Sequence, residues 1–341
     1  MINREEFAKR QAEMTSGWAD GVRARHGNPE AYYQVRRNAY LRRWKEGLRL
    51  VEDGSRVLDI GGGNLFPQLF ELLRRRNLDY WYIDVDETAV RSSADIGSEF
   101  GFDHSHFSKG FNDVLEHADE TFDVVFSSHC IEHSFALDTT FDEINRVLKP
   151  GGILLMAVPF GWELNPEHPY FLDAAQWDAL ITDAGFDIRL ATVGKDYPEQ
   201  GFDYFVVAEK VSSRIENRID IDVFRKTSYS FVEVKNSSII TLNGDWKDRG
   251  DHFISGPGAN FEIKCQNAVD VLPILLRHDW SGVLTLDSGH ETMTEDLYSR
   301  LNYPQPVIFR ANDSSEVIGR ATGRNLLSRG AELVLFGAMI R

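Results

Sequence analysis

Between residues 56 and 210 the chain alternates strand and helix patterns with unusual regularity. RVLDI, DYWYIDV, FDVVFSS and GGILLMAVPF are short runs rich in β-branched, aromatic and aliphatic residues. The helical patterns PQLFELLRRR, ETAVRSSADIGSEF, LDTTFDEINRVL and AAQWDALITDAG fall between and after them. A helix between two strands returns the chain in the same direction, so such a series builds a mostly parallel sheet covered on both faces. HSHFSKG reads as a short strand in the same series. FDIRLATV and DYFVVAEKV follow each other without a helix, so one antiparallel strand is expected at that end.

The flanks differ. Residues 1–50 hold eleven Lys/Arg against six Asp/Glu, a local +5, in a chain whose net charge is −16. They read as a basic helical cap, with Asn28-Pro29-Glu30 opening its main helix, since proline is tolerated in a first turn. Residues 211–227, beginning VSSRIENRID, are polar and read as a linker. From residue 228 to 341 the runs SFVEVK, SIITLNG, DHFIS, NFEIKCQ, VDVLPILLR, GVLTLDSG, QPVIFRA, EVIGRATG and ELVLFGAMI are broken by turn residues, with no helix between them. That pattern suits an all-β jelly roll or β-sandwich. The expected division is therefore 1–50, 51–210, a linker 211–227 and 228–341.

In Val57–Gln68, VLDIGGGNLFPQ, an acidic residue and three glycines stand at the first strand-to-helix turn. In an open parallel sheet ligands bind beyond the carboxyl ends of the strands, and glycine lets backbone approach them. A dinucleotide fingerprint would place a third spaced glycine at Phe66, and it is missing. Asp84 lies 84 − 59 = 25 residues after Asp59, at the end of the second strand, where a carboxylate can take both hydroxyls of a ribose. The signature is that of a ribose site without the full pyrophosphate loop.

These residues, with YIDVDETAV, FDVVFSSHCIEH, INRVLKPGGILLMAVP, and AGFDIRL followed by DYFVVAEK, resemble the class I S-adenosylmethionine-dependent methyltransferases over residues 50–210. The resemblance implies a Rossmann-like seven-stranded sheet with the seventh strand inserted antiparallel. It implies S-adenosyl-L-methionine across the strand tips, touched by Asp59, Ile60, Gly61, Gly62, Gly63, Asp84, Val85, Asn112, Ser128 and His129. One departure is Phe111, which stands where the family often carries an acid for the adenine; Asn112 or Asp113 is the expected substitute.

Methyl transfer is an in-line displacement at an electron-poor carbon, assisted by alignment in a dry pocket. A hydroxyl acceptor benefits from a general base. His133, after the fourth strand, and His168, in NPEHPYF after the fifth, are the candidates, because histidine titrates near neutrality. His104, His106 and His117 read as surface groups, Trp44 as packing, and Tyr33 or Arg37 as lid residues over the cofactor. No H-x-x-x-H pair reads as lying on a helix, and no carboxylate cluster stands at ligand spacing beyond surface acids, so no metal is expected.

Residues 228–341 resemble the jelly-roll, carbohydrate-binding-like modules of glycan-active enzymes. Ser281-Gly282, Asp287, Asp296-Leu297-Tyr298-Ser299 and Thr322-Gly323-Arg324-Asn325 carry the likeness. Trp246, Trp280 and Tyr298 are the candidates to stack on sugar. The reading is a methyltransferase for a carbohydrate hydroxyl on a surface-glycan precursor or chain end. Two rivals remain: a small-metabolite methyltransferase whose β region serves a homo-oligomer, and a non-catalytic glycan-binding protein on a methyltransferase fold.

The acidic balance argues against nucleic acid as a partner. No run approaches the roughly 20 apolar residues of a membrane span. Two cysteines without ligand spacing, and an N-terminus without an apolar leader, point to a cytoplasmic location.

Overall fold

The structure is a computed structural model that describes residues 4–7, 9–11, 13, 29–163, 165, 167–195, 201–212, 219–235, 237–312 and 314–341. Residues 213–218, most of the polar half of the expected linker, lie outside the described residues. Two compact units emerge. The first is Met1–Phe160, Asn165–Pro169 and Ala174–Ile221; the second is Gly161–Leu164, Tyr170–Asp173 and Asp222–Arg341. The division thus falls inside the expected linker, and two short stretches read from sequence as part of the sheet region belong to the second unit.

The first unit holds seven strands: β1 (Arg56–Ile60), β2 (Asp79–Asp84), β3 (Phe107–Lys109), β4 (Phe122–Ser128), β5 (Leu148–Pro159), β6 (Phe186–Gly194) and β7 (Asp203–Lys210). Their order is β3-β2-β1-β4-β5-β7-β6. β1 pairs in parallel with both β2 and β4, while β7 runs antiparallel to both its neighbours. The sheet is therefore the Rossmann-like one expected. Order reverses at β1, where the chain leaves toward β2 on one side and later returns to β4 on the other, opening a crevice at the strand tips.

Helices α1 (Pro29–Gly47), α2 (Pro67–Arg75), α3 (Glu87–Glu99), α4 (Leu137–Val147) and α5 (Ala174–Asp183) belong to this unit. α1 begins at Pro29, as the sequence suggests, and buries Ala39, Arg43, Trp44 and Gly47. That spacing is one stripe of a 3.6-residue period. Trp44 has no exposed surface and stacks on Phe126 of β4, ring centroids 4.1 Å apart. Pro67 opens α2 at its first position, and the Asp86 carboxylate caps α3 by accepting from the Thr88 amide. His106 departs from the surface role expected of it: its ring stacks on Trp81 at 3.8 Å. His117 likewise packs edge-on against Phe122.

The second unit is all-β. One sheet runs β10 (Trp246–Asp248), β11 (Phe253–Ser255), β19 (Val334–Ile340), β13 (Asp270–Arg277) and β16 (Tyr303–Pro306), with β8 (Ser230–Glu233) on β19 and β17 (Phe309–Arg310) on β13. The other runs β15 (Thr292–Asp296), β14 (Gly282–Asp287), β18 (Glu316–Arg324), β12 (Asn260–Lys264) and β9 (Ile240–Asn243). Phe261, Ile263, Leu284 and Val317 of one sheet share a core with Val271, Leu275, Leu335 and Ala338 of the other. The sequence runs missed β10 and β15, and QPVIFRA divides into the end of β16 and β17. Trp246 is half-buried and held in place by its neighbours. Its indole N–H donates to the Asn243 and Asn260 carbonyls at 3.2 and 3.1 Å, and its ring meets Phe261. Trp280 remains 46% exposed.

Candidate functional site

The crevice is built from β1 outward. Val57, Leu58, Asp59 and Ile60 are all buried, so Asp59 enters an apolar layer. Its Oδ2 accepts from the Tyr40 hydroxyl of α1 and the Tyr80 hydroxyl of β2, both at 2.6 Å. Its Oδ1 has no hydrogen-bond partner among the described residues. Burial pushes the Asp59 carboxyl up to about 7; the tyrosine hydroxyls oppose this and nearby Asp84 adds to it.

The glycines do different work. Gly61 has φ +70°, and a Cβ there would overlap Cys130 Sγ and lie 2.5 Å from Cys130 Cβ. Gly62 is closed in by the Tyr40 hydroxyl and Asp59. Gly63, at φ +64°, faces open space: among the described residues nothing lies within 4 Å of its Cβ position. Of the three it is the one where backbone stands bare toward a ligand. Its amide donates to Asp84 Oδ2 at 3.0 Å, and the Tyr82 hydroxyl donates to the Gly63 carbonyl at 2.7 Å. Asp84 Oδ1 accepts from the Asp86 amide, so the β2 tip and the glycine turn are tied into one frame. Burial raises Asp84 from its ordinary range, against the Asp86 and Gly63 amides. Val85 follows directly at the same tip.

Asn112 does not stand free. Its amide donates to Ser134 Oγ at 2.9 Å, binding the loop after β3 to the segment after β4. Asp113 is buried and ion-paired with Arg4 at 2.9 Å. Ser128 ends β4 and is buried. His129 follows in the left-handed region at φ +54°, its amide donating to the Ala157 carbonyl at 2.8 Å. A bulky residue held there marks a position fixed by its surroundings.

Beyond β4, folding brings His168 to the histidines and glutamate of the HCIEH run, residues 129–133. Glu132, His133 and His168 each bring one ligating atom, all within 4.8 Å of one another. His129 Nδ1 stands 3.6 Å from Glu132 Oε1. The His133 and His168 rings meet edge-on with centroids 4.5 Å apart. His133 Nδ1 lies 3.0 Å from the Glu167 carbonyl. Burial pushes the His133 imidazole down to about 4, with Glu132 opposing and His168 reinforcing. Burial also works to raise Glu132, but the His129 hydrogen bond and the surrounding imidazoles outweigh it and hold the carboxyl below its ordinary value.

Tyr40 and Glu132 were not singled out from sequence. The signal for Tyr40 was there: it stands two helical turns beyond Tyr33 on the same face of α1. Tyr33 itself packs edge-on against Tyr32, and Arg37 pairs with Glu30.

Residues 51–179 match the family model described as a methyltransferase domain. With the strand order above, the chain carries a methyltransferase domain of the S-adenosylmethionine-dependent class. Among curated proteins it is similar to the sterol 24-C-methyltransferase of Yarrowia lipolytica, 28% identical over 45% of this chain and 41% of that protein. It is also similar to the ubiquinone biosynthesis O-methyltransferase of Caulobacter vibrioides, 30% identical over 38% of this chain and 51% of that one. The chain thus spans about two fifths of the length of the sterol relative. A solved SAM-dependent methyltransferase from Aquifex aeolicus is 22% identical, covering 47% of this chain and 85% of its own, with a TM-score of 0.40. Among the described residues no helix is long and apolar enough to cross a membrane.

Proposed function

We propose that the protein transfers a methyl group from S-adenosylmethionine to an acceptor hydroxyl, that of a carbohydrate. The observation that carries this reading is the frame formed by Gly63, Asp84 and Tyr82, with open space beside Gly63. A ribose laid there would have Asp84 as acceptor for its hydroxyls, and the orphan Oδ1 of Asp59 is a buried acceptor beside the same turn. In the reaction a C–O bond forms as the S–CH₃ bond breaks. The hydroxyl proton passes to the imidazole cluster of His133 and His168, and S-adenosylhomocysteine leaves. Alignment and water exclusion supply much of the acceleration.

Oxygen as the acceptor is supported by these imidazoles, which a carbon acceptor would not require. Carbohydrate is supported by the likeness of the β unit to glycan-active modules, read as a jelly roll, and by the exposed Trp280 with Tyr298 beside the same β14–β15 region. A second reading, a phenolic or other small-metabolite hydroxyl, is favoured by the similarity to the ubiquinone biosynthesis O-methyltransferase. Transfer of labelled methyl to panels of nucleotide sugars, oligosaccharides and catechols separates the two. Label confined to catechols would overturn the carbohydrate assignment.

Asp84→Ala is expected to weaken S-adenosylhomocysteine binding by about 1–3 kcal/mol, the loss of a charge-assisted acceptor. Calorimetry measures it directly, and an unchanged affinity would mean that the ribose is held elsewhere.

A further inference from the structure

We propose that Glu132, His133 and His168 form a binding site for one divalent cation of the Zn²⁺, Mn²⁺ or Co²⁺ type, held by one carboxylate oxygen and two imidazole nitrogens. The three ligating atoms lie within 4.8 Å of one another, and Glu132 Oε1 is 3.9 Å from His133 Nε2. Ligands about 2.1 Å from a shared metal stand roughly 3.4 Å apart in tetrahedral geometry. A closure of about 1 Å by side chains at loop positions would complete the site. The donor set selects the metal class, because calcium and magnesium favour all-oxygen shells while imidazole with carboxylate suits borderline transition ions.

Two further features point to a cation. A carbonyl oxygen only accepts, so His133 Nδ1, 3.0 Å from the Glu167 carbonyl, carries the proton. His133 Nε2 then turns a lone pair toward Glu132. Beside the His129 contact, Glu132 Oε1 and the His133 Nε2 lone pair face each other 3.9 Å apart at a carboxylate that is only 5% exposed, an arrangement that a cation between them would join. Glu132 Oε2 is also buried without a hydrogen-bond partner among the described residues. The surroundings match the outer shell of a metal site: the Glu167 carbonyl fixes the His133 ring, and His129 stands 3.6 Å from Glu132 Oε1. In the chain Glu132 and His133 are adjacent and His168 comes from another loop, so no single spacing joins all three ligands.

The site deepens the reading above, on which its role in the reaction rests. A bound cation would take the acceptor hydroxyl as a further ligand and lower its pKa; His133 and His168 would then serve as its ligands, and the hydroxyl proton would be released to solvent in place of the transfer to imidazole written above. Binding itself can be tested apart from that reading. The full chain, stripped with dipicolinate and dialysed, is titrated with Co²⁺ alone and followed by visible absorption and by metal analysis after gel filtration. One equivalent per chain with imidazole-type bands is expected. His133→Ala and His168→Gln should each weaken uptake at least about 100-fold, since even outer-shell losses cost 10–100-fold. His104→Ala should leave uptake unchanged. Near-UV circular dichroism reports which variants are folded, and His168→Gln, a polar replacement on a loop, decides the matter if His133→Ala unfolds. Absence of stoichiometric uptake, or equal uptake by the folded ligand variants, overturns the site. S-adenosylhomocysteine titrations on the same samples keep the two proposals apart: lost nucleoside binding with intact Co²⁺ uptake would sink the methyltransferase reading and leave the metal site standing.

Discussion

Gly61→Ala is expected to cost about 2–5 kcal/mol of folding stability. Two terms add. The residue sits at φ +70°, where an L side chain costs roughly 1–2 kcal/mol. The new Cβ would also overlap Cys130 Sγ and crowd Cys130 Cβ, which forces apart the turns after β1 and β4 at roughly 1–3 kcal/mol. The terms can be separated. Cys130→Gly in the same chain removes both colliding atoms, so the double variant should recover the steric part and keep the backbone part. A double-mutant cycle by urea unfolding measures the coupling. Equal destabilisation in the single and double variants would show that the turn does not close on Cys130.

Asp59→Asn should change how stability depends on pH. The Asp59 carboxyl is raised from an ordinary value of 3.8 to about 7 in the folded chain. Below pH 3.8 both states hold the proton and the group is neutral in its effect. Between pH 3.8 and 7 the folded chain keeps a proton that the unfolded chain has released, so stability falls as pH rises, until the folded group also ionises near 7. At about 1.4 kcal/mol per pH unit the full window is worth on the order of 4 kcal/mol, and the part from pH 5 upward about 3. Asparagine cannot ionise, so this slope should vanish in the variant. Its amide nitrogen would take the place of the unpartnered Oδ1, a fixed cost of about 1–3 kcal/mol at every pH. The decisive quantity is therefore the difference between pH 5 and pH 8. The variant should gain about 3 kcal/mol on wild type across that interval in urea unfolding. Parallel curves would place the Asp59 titration near its ordinary value and remove the argument that the carboxylate is held in strain by its apolar layer.

Much of the first unit was legible because its signals are local. Alternating periods of two and 3.6, Pro29 and Pro67 at helix starts and Asp86 at a cap mark strands and helices within a few residues, and the series of connections then limits the sheet to few orders. The antiparallel β7 was readable from a missing helix. The second unit was legible in class only. β10 and β15 carry WKD and TMTED, too short and too polar for a period to register, and they become strands because neighbours offer them a ladder.

The site shows the same contrast. Gly61, Gly63 and Asp84 were visible because strand tips are fixed by the strands themselves. Glu132 was passed over although His129 and His133 flank it in HCIEH, because its third partner, His168, lies 168 − 132 = 36 residues on and no spacing rule joins the two. Tyr40 was missed for a different reason: its role depends on where α1 lies over β1, which the helix pattern alone does not determine. Neighbouring side chains occupy the space at the Cβ positions of Gly61 and Gly62, and the space beside Gly63 is open among the described residues.

The assignment of Tyr170–Asp173 to the second unit bears on how this chain can be divided. Phe171, encoded between β5 and α5, has no exposed surface and clusters with Leu272, Ile274 and Met339. A gene cut after codon 221 would therefore yield a methyltransferase fragment with an uncovered phenylalanine and a β fragment missing one of its own core rings. Swapping the β unit for a foreign module would require carrying these interior residues along with it.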